Sequence, residues 1–367
     1  MALNSKTFKV VTIVGARPQF VKAAALSPRL QETGTLSETI VHTGQHFDRT
    51  MSDIFFEEMK IPDPKINLGI GGGSHGQNTG RMIEALERVF IEECPDTVLV
   101  YGDTDSTLAA AIAASKMGIK LTHVEAGLRS YRRAMPEEIN RVLTDHVSDI
   151  LYTPCQSAIS NLLKEGIAES KIHNAGDVML DVVRRFQGIA KTQSNIVREL
   201  NLSQARFSLM TLHRKENVDS KASLERIFSG IAQSGVDTVF LIHPRTTKMI
   251  ESFGLKIPAN VRVIAPVGYI DMLALIEASS LVMTDSGGLQ KEAYFLNKPC
   301  VTLREETEWI ELVEAKVNVL VGSNPELILS ALSKTDWPVQ FNAVYGDGRA
   351  AERIAEDLLH RLQISTN

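Results

Sequence analysis

The chain has little cysteine, few aromatic residues and almost no charge surplus, and no long apolar run. Its three cysteines, Cys94, Cys155 and Cys300, lie far apart and form no CxxC pair. That excludes a disulfide scaffold or a cysteine-built metal ribbon, and reads as buried thiols of a cytoplasmic protein. The formal net charge is only −5, with 39 basic residues against 44 acidic ones. Without a basic surplus the chain is not expected to bind nucleic acid, and any anionic ligand must be held by a local cluster of cations. No run of about 18 apolar residues is present, so no membrane span is expected. The opening MALNSKTFKVVTIVG carries a short apolar stretch of strand type and no signal peptide. There is no GxGxxG, and the GGGSHG stretch at 71–76 lacks the lysine of a P-loop. That stretch reads as a mobile lid or a weak phosphate cradle.

What is present is a regular alternation. At 367 residues and 44% hydrophobic content, the chain is long enough for two domains, each with its own core. VVTIV (10–14), TVLVY (97–101), LTHVE (121–125) and DILYT (149–153) read as strands, with helices predicted over 18–30, 106–117, 136–147 and 156–165. FSLMTL (207–212), VFLIH (239–243), VRVIA (261–265), LVMTD (281–285), CVTLR (300–304) and NVLVG (318–322) repeat the pattern. Near-continuous apolar strands with helices between them indicate parallel sheets covered on both faces. The expected class is α/β, two Rossmann-like domains facing across a cleft. The first spans 1–186, joined by a C-terminal helix in 346–367, and the second spans 187–345. Ligands in such sheets bind at the carboxyl ends of strands.

Several strand-end loops carry suitable chemistry. GARPQ (15–19) turns a strand into a helix and offers Arg17 and, one turn on, Lys22 to an anion. A tight turn with a solvated Arg and Lys accounts for the same residues. In TDSGGLQKEA (284–293) the Ser286, Gly287 and Gly288 backbone suits a diphosphate and Glu292 a ribose hydroxyl, although a Ser N-cap explains Ser286 as well. Asp103 and Glu125 end two apolar strands, where a charge needs a partner. Glu137 and Glu138 lie in the first turn of a helix, where acids ordinarily complement the dipole. His213 and His243 end strands of the second half, each beside an arginine. His42 and His46 are four apart but at a strand end, so no zinc geometry follows.

The runs GARPQFVKAAAL, HTGQHFD, GGSHGQNTGRM, VLVYGDTDST, THVEAGLRS, RAMPEEINRVLTDH, NAGDVMLD, TLHRKEN, IHPR, PVGYIDML, TDSGGLQKEA and the LREETEW segment resemble UDP-N-acetylglucosamine 2-epimerases of the non-hydrolysing kind, in order, from about Phe8 to Gly322. The resemblance implies the GT-B fold, a UDP-sugar substrate, no redox cofactor, no metal and a homodimer. It implies that Ser286, Gly287 and Gly288 hold the diphosphate, Glu292 the ribose, and that the Pro266–Met272 stretch lies by the uracil. His213 stands close to the diphosphate and also counts with the catalytic set, while Arg17 and Lys22 are the basic pair of the first domain. Asp103, Glu125 and Glu137 match the family's catalytic acids, and Arg304 aligns less clearly and stays outside that set. Gln45 matches a contact to a second UDP-sugar acting as activator, and His243 is a candidate for the same allosteric site. Asp48 stands where the family often has a further Gln.

The expected reaction interconverts UDP-GlcNAc and UDP-ManNAc. The C2 proton is not acidic, so C1–O breaks first, expelling UDP and making that proton labile, and its loss gives 2-acetamidoglucal. Re-addition after protonation of the opposite face then needs acid/base groups on both faces of C2. Alternatives are action on UDP-2,3-diacetamido-glucuronic acid, to which HTGQHFD…MSDIFFEE is similar, a hydrolysing relative releasing ManNAc and UDP, and a GT-B glycosyltransferase.

Overall fold

The computed structural model describes residues 6–45, 58–338 and 343–364. The chain divides into two compact units, residues 1–182 with 343–367, and residues 183–342. The sequence placed these divisions at 186/187 and 345/346. In the structure the first falls inside a continuous helix, and this helix carries the chain from one unit into the other.

The first unit is built on a seven-stranded sheet. Its strands are β1 (Phe8–Val14), β2 (Leu36–His42), β3 (Ile66–Asn67), β4 (Thr97–Tyr101), β5 (Lys120–Val124), β6 (Ile150–Thr153) and β7 (Ile172–Asn174). Their order is β3-β2-β1-β4-β5-β6-β7, and every pairing is parallel. Around it lie α1 (Arg17–Glu32), α2 (His75–Glu93), α3 (Asp105–Lys116), α4 (Pro136–Val147), α5 (Gln156–Lys164) and α6 (Val178–Gln193). All five residues of β4 are buried, as expected of a strand with helices on both faces. The alanines 109–111, 113 and 114 of α3 have no exposed surface, so small side chains let this helix lie close against Val11, Ile13, Val98 and Val100 of the sheet.

The second unit repeats the plan with six strands, β8 (Ser208–Leu212), β9 (Thr238–Ile242), β10 (Val261–Ile264), β11 (Leu281–Thr284), β12 (Cys300–Thr302) and β13 (Asn318–Leu320). The order is β10-β9-β8-β11-β12-β13, again all parallel. Its helices are α7 (Ile196–Glu199), α8 (Lys215–Val218), α9 (Lys221–Ser234), α10 (Pro244–Ser252), α11 (Tyr269–Ala278), α12 (Gly287–Phe295), α13 (Ile310–Glu314) and α14 (Pro325–Ser333). Met210, Phe240, Met283 and Val301 from four strands meet Leu224, Ile227, Ile231 and Ile328 from two helices in its core.

The last helix, α15 (Ala350–Ile364), belongs to the first unit. The Asp181 carboxylate accepts the Ala350 and Ala351 N–H groups at its N-terminus, and the Tyr152 hydroxyl donates to Asp357 at 2.8 Å. In both sheets the chain leaves the first strand of the unit in one direction and later returns on its other side. The reversal falls between β1 and β4 in one unit and between β8 and β11 in the other. The loops after these strands are where a doubly wound sheet leaves an open crevice.

One expectation needs correction, and the second half of GGGSHG gains a local role as a helix start. Ser74 caps α2, its side chain accepting the Gln77 N–H at 3.3 Å, while the Gln77 side chain accepts the Ser74 N–H at 3.1 Å. The sequence S-x-x-Q is a capping box, and its two reciprocal bonds satisfy two donors that the helix would otherwise leave open. Cys94 is exposed, not buried, because it ends α2 in a left-handed conformation at φ +47°. Replacing Ser74 with Ala removes the cap and is expected to lower stability by about 1 kcal/mol, with Ser74→Asp retaining most of it. Chemical denaturation of both variants measures this, and an unchanged midpoint for the alanine variant would show that the cap is not holding the helix.

Candidate active site

At the end of β1, Gln19 of α1 closes the turn. Its side-chain oxygen accepts the N–H groups of Gly15 and Ala16, at 2.8 and 3.1 Å, and its amide donates to the Tyr101 carbonyl and the Thr107 hydroxyl. One buried side chain thus joins the first turn of α1 to the end of β4. Arg17 at the start of α1 is half-buried, and Lys22, one turn further, is buried.

Lys22 reaches Glu125, and the two form a buried ion pair. Glu125 follows β5 with φ +71°, a conformation that side-chain-bearing residues rarely adopt. Gly102, at φ +61°, lies against the pair: a Cβ there would stand 3.1 Å from both the Lys22 Nζ and a Glu125 carboxylate oxygen. The glycine is therefore needed for its conformation and for the space.

Asp103 is paired with Arg141 of α4, at 2.5 Å. Burial raises the Asp103 pKa above its ordinary value. The Arg141 and Lys22 charges oppose the shift, and the Glu125 and Glu137 carboxylates add to it. The three acids proposed from sequence therefore share one electrostatic neighbourhood, with two cations among them. A carboxyl group pushed upward beside others is what acid/base chemistry requires.

The two adjacent glutamates of α4 separate clearly. Glu138 is buried and accepts from the Ser130 and Tyr131 N–H groups, both at 2.9 Å, from the Ser130 hydroxyl, and from Arg141. Burial raises its pKa, but these hydrogen bonds and the Arg141 charge outweigh burial and hold it below the usual range. It is an anchor that fixes the 130–131 loop and aims Arg141 at Asp103. Glu137 is half-buried beside it.

From His123 of β5 a chain of polar groups runs through buried Asp145 and Arg129 to the partly exposed Glu165. The His123 ring bridges the Gly102 carbonyl (2.8 Å) and Asp145 (2.7 Å). Asp145 also accepts from Arg129 and from the Gly127 N–H, and Arg129 makes a two-pronged bond to Glu165. His75 pairs with Asp105 at 2.8 Å, and Gln45 accepts from the Ser106 N–H and hydroxyl. His46 and Asp48 lie outside the described residues, as does most of the HTGQHFD…MSDIFFEE stretch.

In the second unit the loops after β8 and β11 lie side by side, joined by a bond of 2.6 Å between the Thr211 and Thr284 hydroxyls. Asp285 has no exposed surface. Its carboxylate faces the His213 ring at 3.0 Å and accepts from the His213 and Arg214 N–H groups and from Asn217. Burial favours its neutral form, but the His213 ring and these N–H groups hold its pKa below the ordinary value. Ser286 caps α12, its hydroxyl accepting from the Leu289 N–H at 3.5 Å. Capping and ligand binding are compatible here, since the first N–H groups of α12 remain directed out of the helix start. Gly287 packs tightly: a Cβ would stand 2.3 Å from Glu308, and its carbonyl accepts the Trp309 indole N–H. Gly288 is open, with nothing nearer to a Cβ than the Ser286 hydroxyl at 4.0 Å. Glu292 is buried on the inner side of α12, and Arg304 pairs with Glu308 beside the loop. His243 caps α10, its Nδ1 accepting the Arg245 N–H. Burial and the nearby His213 and Arg245 charges lower its pKa, which suits a neutral acceptor.

Sequence reasoning missed Gln19, His123, Glu138, Arg141 and Asp285 as positioning groups. Asp285 was open to detection, because it is a charge at the tip of an apolar strand like Asp103 and Glu125. The others act through partners distant in sequence. Among the described residues no group of three or more His, Cys, Asp or Glu is arranged to hold a metal ion, and no helix is long and apolar enough to cross a membrane.

Two doubly wound parallel sheets, each with charged loops at its reversal point, make an α/β architecture of GT-B type. Comparison with known proteins agrees. Residues 28–359 match the family model described as UDP-N-acetylglucosamine 2-epimerase. A UDP-N-acetylglucosamine 2-epimerase homolog of Methanococcus maripaludis is 50% identical over 95% of this chain and 99% of its own length. The UDP-2,3-diacetamido-2,3-dideoxy-D-glucuronate 2-epimerase of Pseudomonas aeruginosa is also 50% identical, with the same coverage. The Methanocaldococcus jannaschii UDP-GlcNAc 2-epimerase, solved with UDP-GlcNAc and UDP, superposes with a TM-score of 0.90 at 42% identity, covering 96% of this chain and all of that one. The chain belongs to the UDP-N-acetylglucosamine 2-epimerase family.

The contrast between the two loop glycines gives a test. Gly287→Ala must displace Glu308 and is expected to lower the melting temperature. Gly288→Ala meets no protein atom closely, so it should fold normally and weaken UDP binding through steric conflict with the ligand alone. Calorimetric titration and melting curves separate the two. Unchanged UDP affinity in the Gly288 variant would remove the helix start from the binding site.

Proposed function

We propose that the chain interconverts UDP-GlcNAc and UDP-ManNAc without hydrolysis. The reading rests above all on the cluster of Asp103, Glu125 and Glu137 with Lys22 and Arg141 at the ends of β4 and β5. Ser286, Gly287 and Gly288 at the start of α12, with His213, hold the diphosphate, and Glu292 takes the ribose. UDP leaves as an anion, so it needs cations and N–H donors more than a proton donor. The C2–H electron pair forms the C1=C2 bond of 2-acetamidoglucal as the C1–O pair departs with UDP. A carboxylate takes the C2 proton, and another acid returns one to the opposite face before UDP adds back to C1. Lys22 is held by Glu125, so its part is to keep that carboxylate charged and oriented. Gln45 is a contact to a second UDP-sugar that acts as activator. The active form is a cytoplasmic homodimer.

A second reading has a specific observation behind it. The 50% identity to the Pseudomonas aeruginosa enzyme equals that to the UDP-N-acetylglucosamine 2-epimerase homolog of Methanococcus maripaludis, and exceeds the 43% to a second protein of that organism named UDP-N-acetylglucosamine 2-epimerase. It supports, as the second reading, the same C2 chemistry on a UDP-2,3-diacetamido uronic acid. Turnover of both sugars decides between them: kcat/KM higher for the uronic acid would replace UDP-GlcNAc as the substrate.

In D₂O the epimerised product should carry one deuterium at C2 per turnover. Oxygen-18 placed in the anomeric bridge should scramble into the non-bridging β-phosphate oxygens, and traces of UDP and glycal should appear. Deuterium uptake with neither scrambling nor glycal would overturn elimination, and accumulation of UDP with free sugar would make the enzyme a hydrolysing one.

Glu137→Gln is expected to lower kcat by on the order of 10²-fold with the fold intact, the usual range for acid/base groups. Glu138→Gln should instead lower the melting temperature, because it removes the charge that pairs with Arg141 and replaces one of two accepting oxygens with an NH₂ group that faces donors. The reverse pattern would exchange the roles of the two glutamates.

A further inference from the structure

His213 was assigned above to the diphosphate, but nothing in that assignment says which ring nitrogen meets it or what holds the ring. The surroundings of Asp285 answer this. The His213 ring is less than half exposed, and its Nδ1 faces the Asp285 carboxylate at 3.0 Å. The carboxylate is itself fixed from three directions. Its Oδ2 accepts from the Arg214 N–H at 2.9 Å, the His213 N–H at 3.0 Å and the Asn217 amide at 3.2 Å. Asn217 also donates to the Leu303 carbonyl at 2.8 Å, which ties the loop to the end of β12. Two parallel strands in register, Thr211 opposite Thr284, put this histidine next to the Ser286 helix start.

We propose that Asp285 is a positioning residue that holds the His213 ring by its Nδ1–H and thereby presents Nε2 to a phosphate oxygen of a nucleoside diphosphate. A carboxylate can only accept, so the nitrogen facing it carries a proton. The second nitrogen then points away from Asp285. With a diphosphate oxygen at Nε2 the ring holds both protons, because acceptors of negative charge stand on its two sides. The contact to phosphate is then charge-assisted rather than neutral. The inference rests on the reading of His213 as a diphosphate contact, and extends it to a buried acid that touches no ligand.

Asp285→Asn is the informative substitution, because it keeps the shape and changes the proton inventory. Three donors converge on Oδ2, so the single oxygen of the asparagine takes that place. Its amide group then faces the ring, and Nδ1 must accept. The ring is left neutral with its proton on Nε2, and the bond to phosphate loses its charge.

Nitrogen-15 NMR of the His213 ring in the full-length enzyme, with UDP as the probe, tests this. In the free wild-type enzyme Nδ1 should be protonated, and UDP should bring a proton to Nε2 without removing the first. In Asp285→Asn with UDP bound, only Nε2 should be protonated. UDP affinity should fall about tenfold in Asp285→Asn and in His213→Ala, the scale of one charge-assisted hydrogen bond. The double variant should bind like His213→Ala alone, because both changes remove one interaction. An unprotonated Nδ1 in the free enzyme, an Nε2 signal that ignores UDP, or losses that multiply in the double variant would each overturn the proposal. The wild-type spectra carry the test even if the asparagine variant does not fold. If UDP shifts Nε2 as expected but no UDP-sugar is epimerised at C2, the positioning role stands and the proposed reaction falls.

Discussion

A carboxylate at the end of an apolar parallel strand is the constraint on which both halves of this molecule turn. Such a strand is buried on both faces, so a charge at its tip loses part of its water and is matched by protein. Three acids occupy such places. Asp103 after β4 is met by Arg141, Glu125 after β5 by Lys22, and Asp285 after β11 by the N–H groups and ring of the next loop. Each match reaches out to another element and fixes it. Arg141 is held in turn by Glu138, which grips the 130–131 loop. Lys22 is brought in by α1, whose first turn Gln19 fastens to β4. The partners that satisfy the charges are therefore the same contacts that shape the loops.

Much of this was legible in the sequence, for reasons that also explain the gaps. The strands VVTIV, TVLVY and LVMTD were readable because burial on both faces demands unbroken apolar runs. The helix at 136–147 was readable from a proline at its first position. β2 was harder, since Ser37, Glu38 and Thr39 interrupt the run. Its Glu38 is tolerated by a hydrogen bond from the Thr12 hydroxyl on the neighbouring strand, a partner no local pattern announces. β3 and β7, of two and three residues, are too short to carry a period. The capping box at Ser74 was readable and was passed over because the three preceding glycines suggested a loop.

The candidate site shows the same division. The acids could be picked out one by one, because charge at a strand tip is anomalous in itself. Their partners could not, because pairing is a property of the fold. Glu137 and Glu138 make the point most sharply. They are adjacent, chemically identical and both in the first turn of α4, so sequence gives each the same dipole argument. A helix turns by about 100° per residue, so the two side chains face different surroundings. Glu138 meets two backbone N–H groups and Arg141, and its pKa falls. Glu137 stands on the side where it raises the pKa of Asp103.

That difference bears on how an epimerase could work with acids alone. Two faces of one carbon must be served by groups in opposite protonation states, and identical carboxyls in identical surroundings would titrate together. Here the surroundings differ by construction. Asp103 is pushed towards its neutral form by burial and by neighbouring carboxylates, despite Arg141. Glu125 lies against Lys22 in a buried ion pair. The same functional group thus stands in two different electrostatic settings, one shifted upward by burial and neighbouring carboxylates and the other paired at contact with an ammonium. Gly102 lies against the Glu125–Lys22 pair and leaves no room for a side chain there, so that pairing depends on a residue that contributes no chemistry.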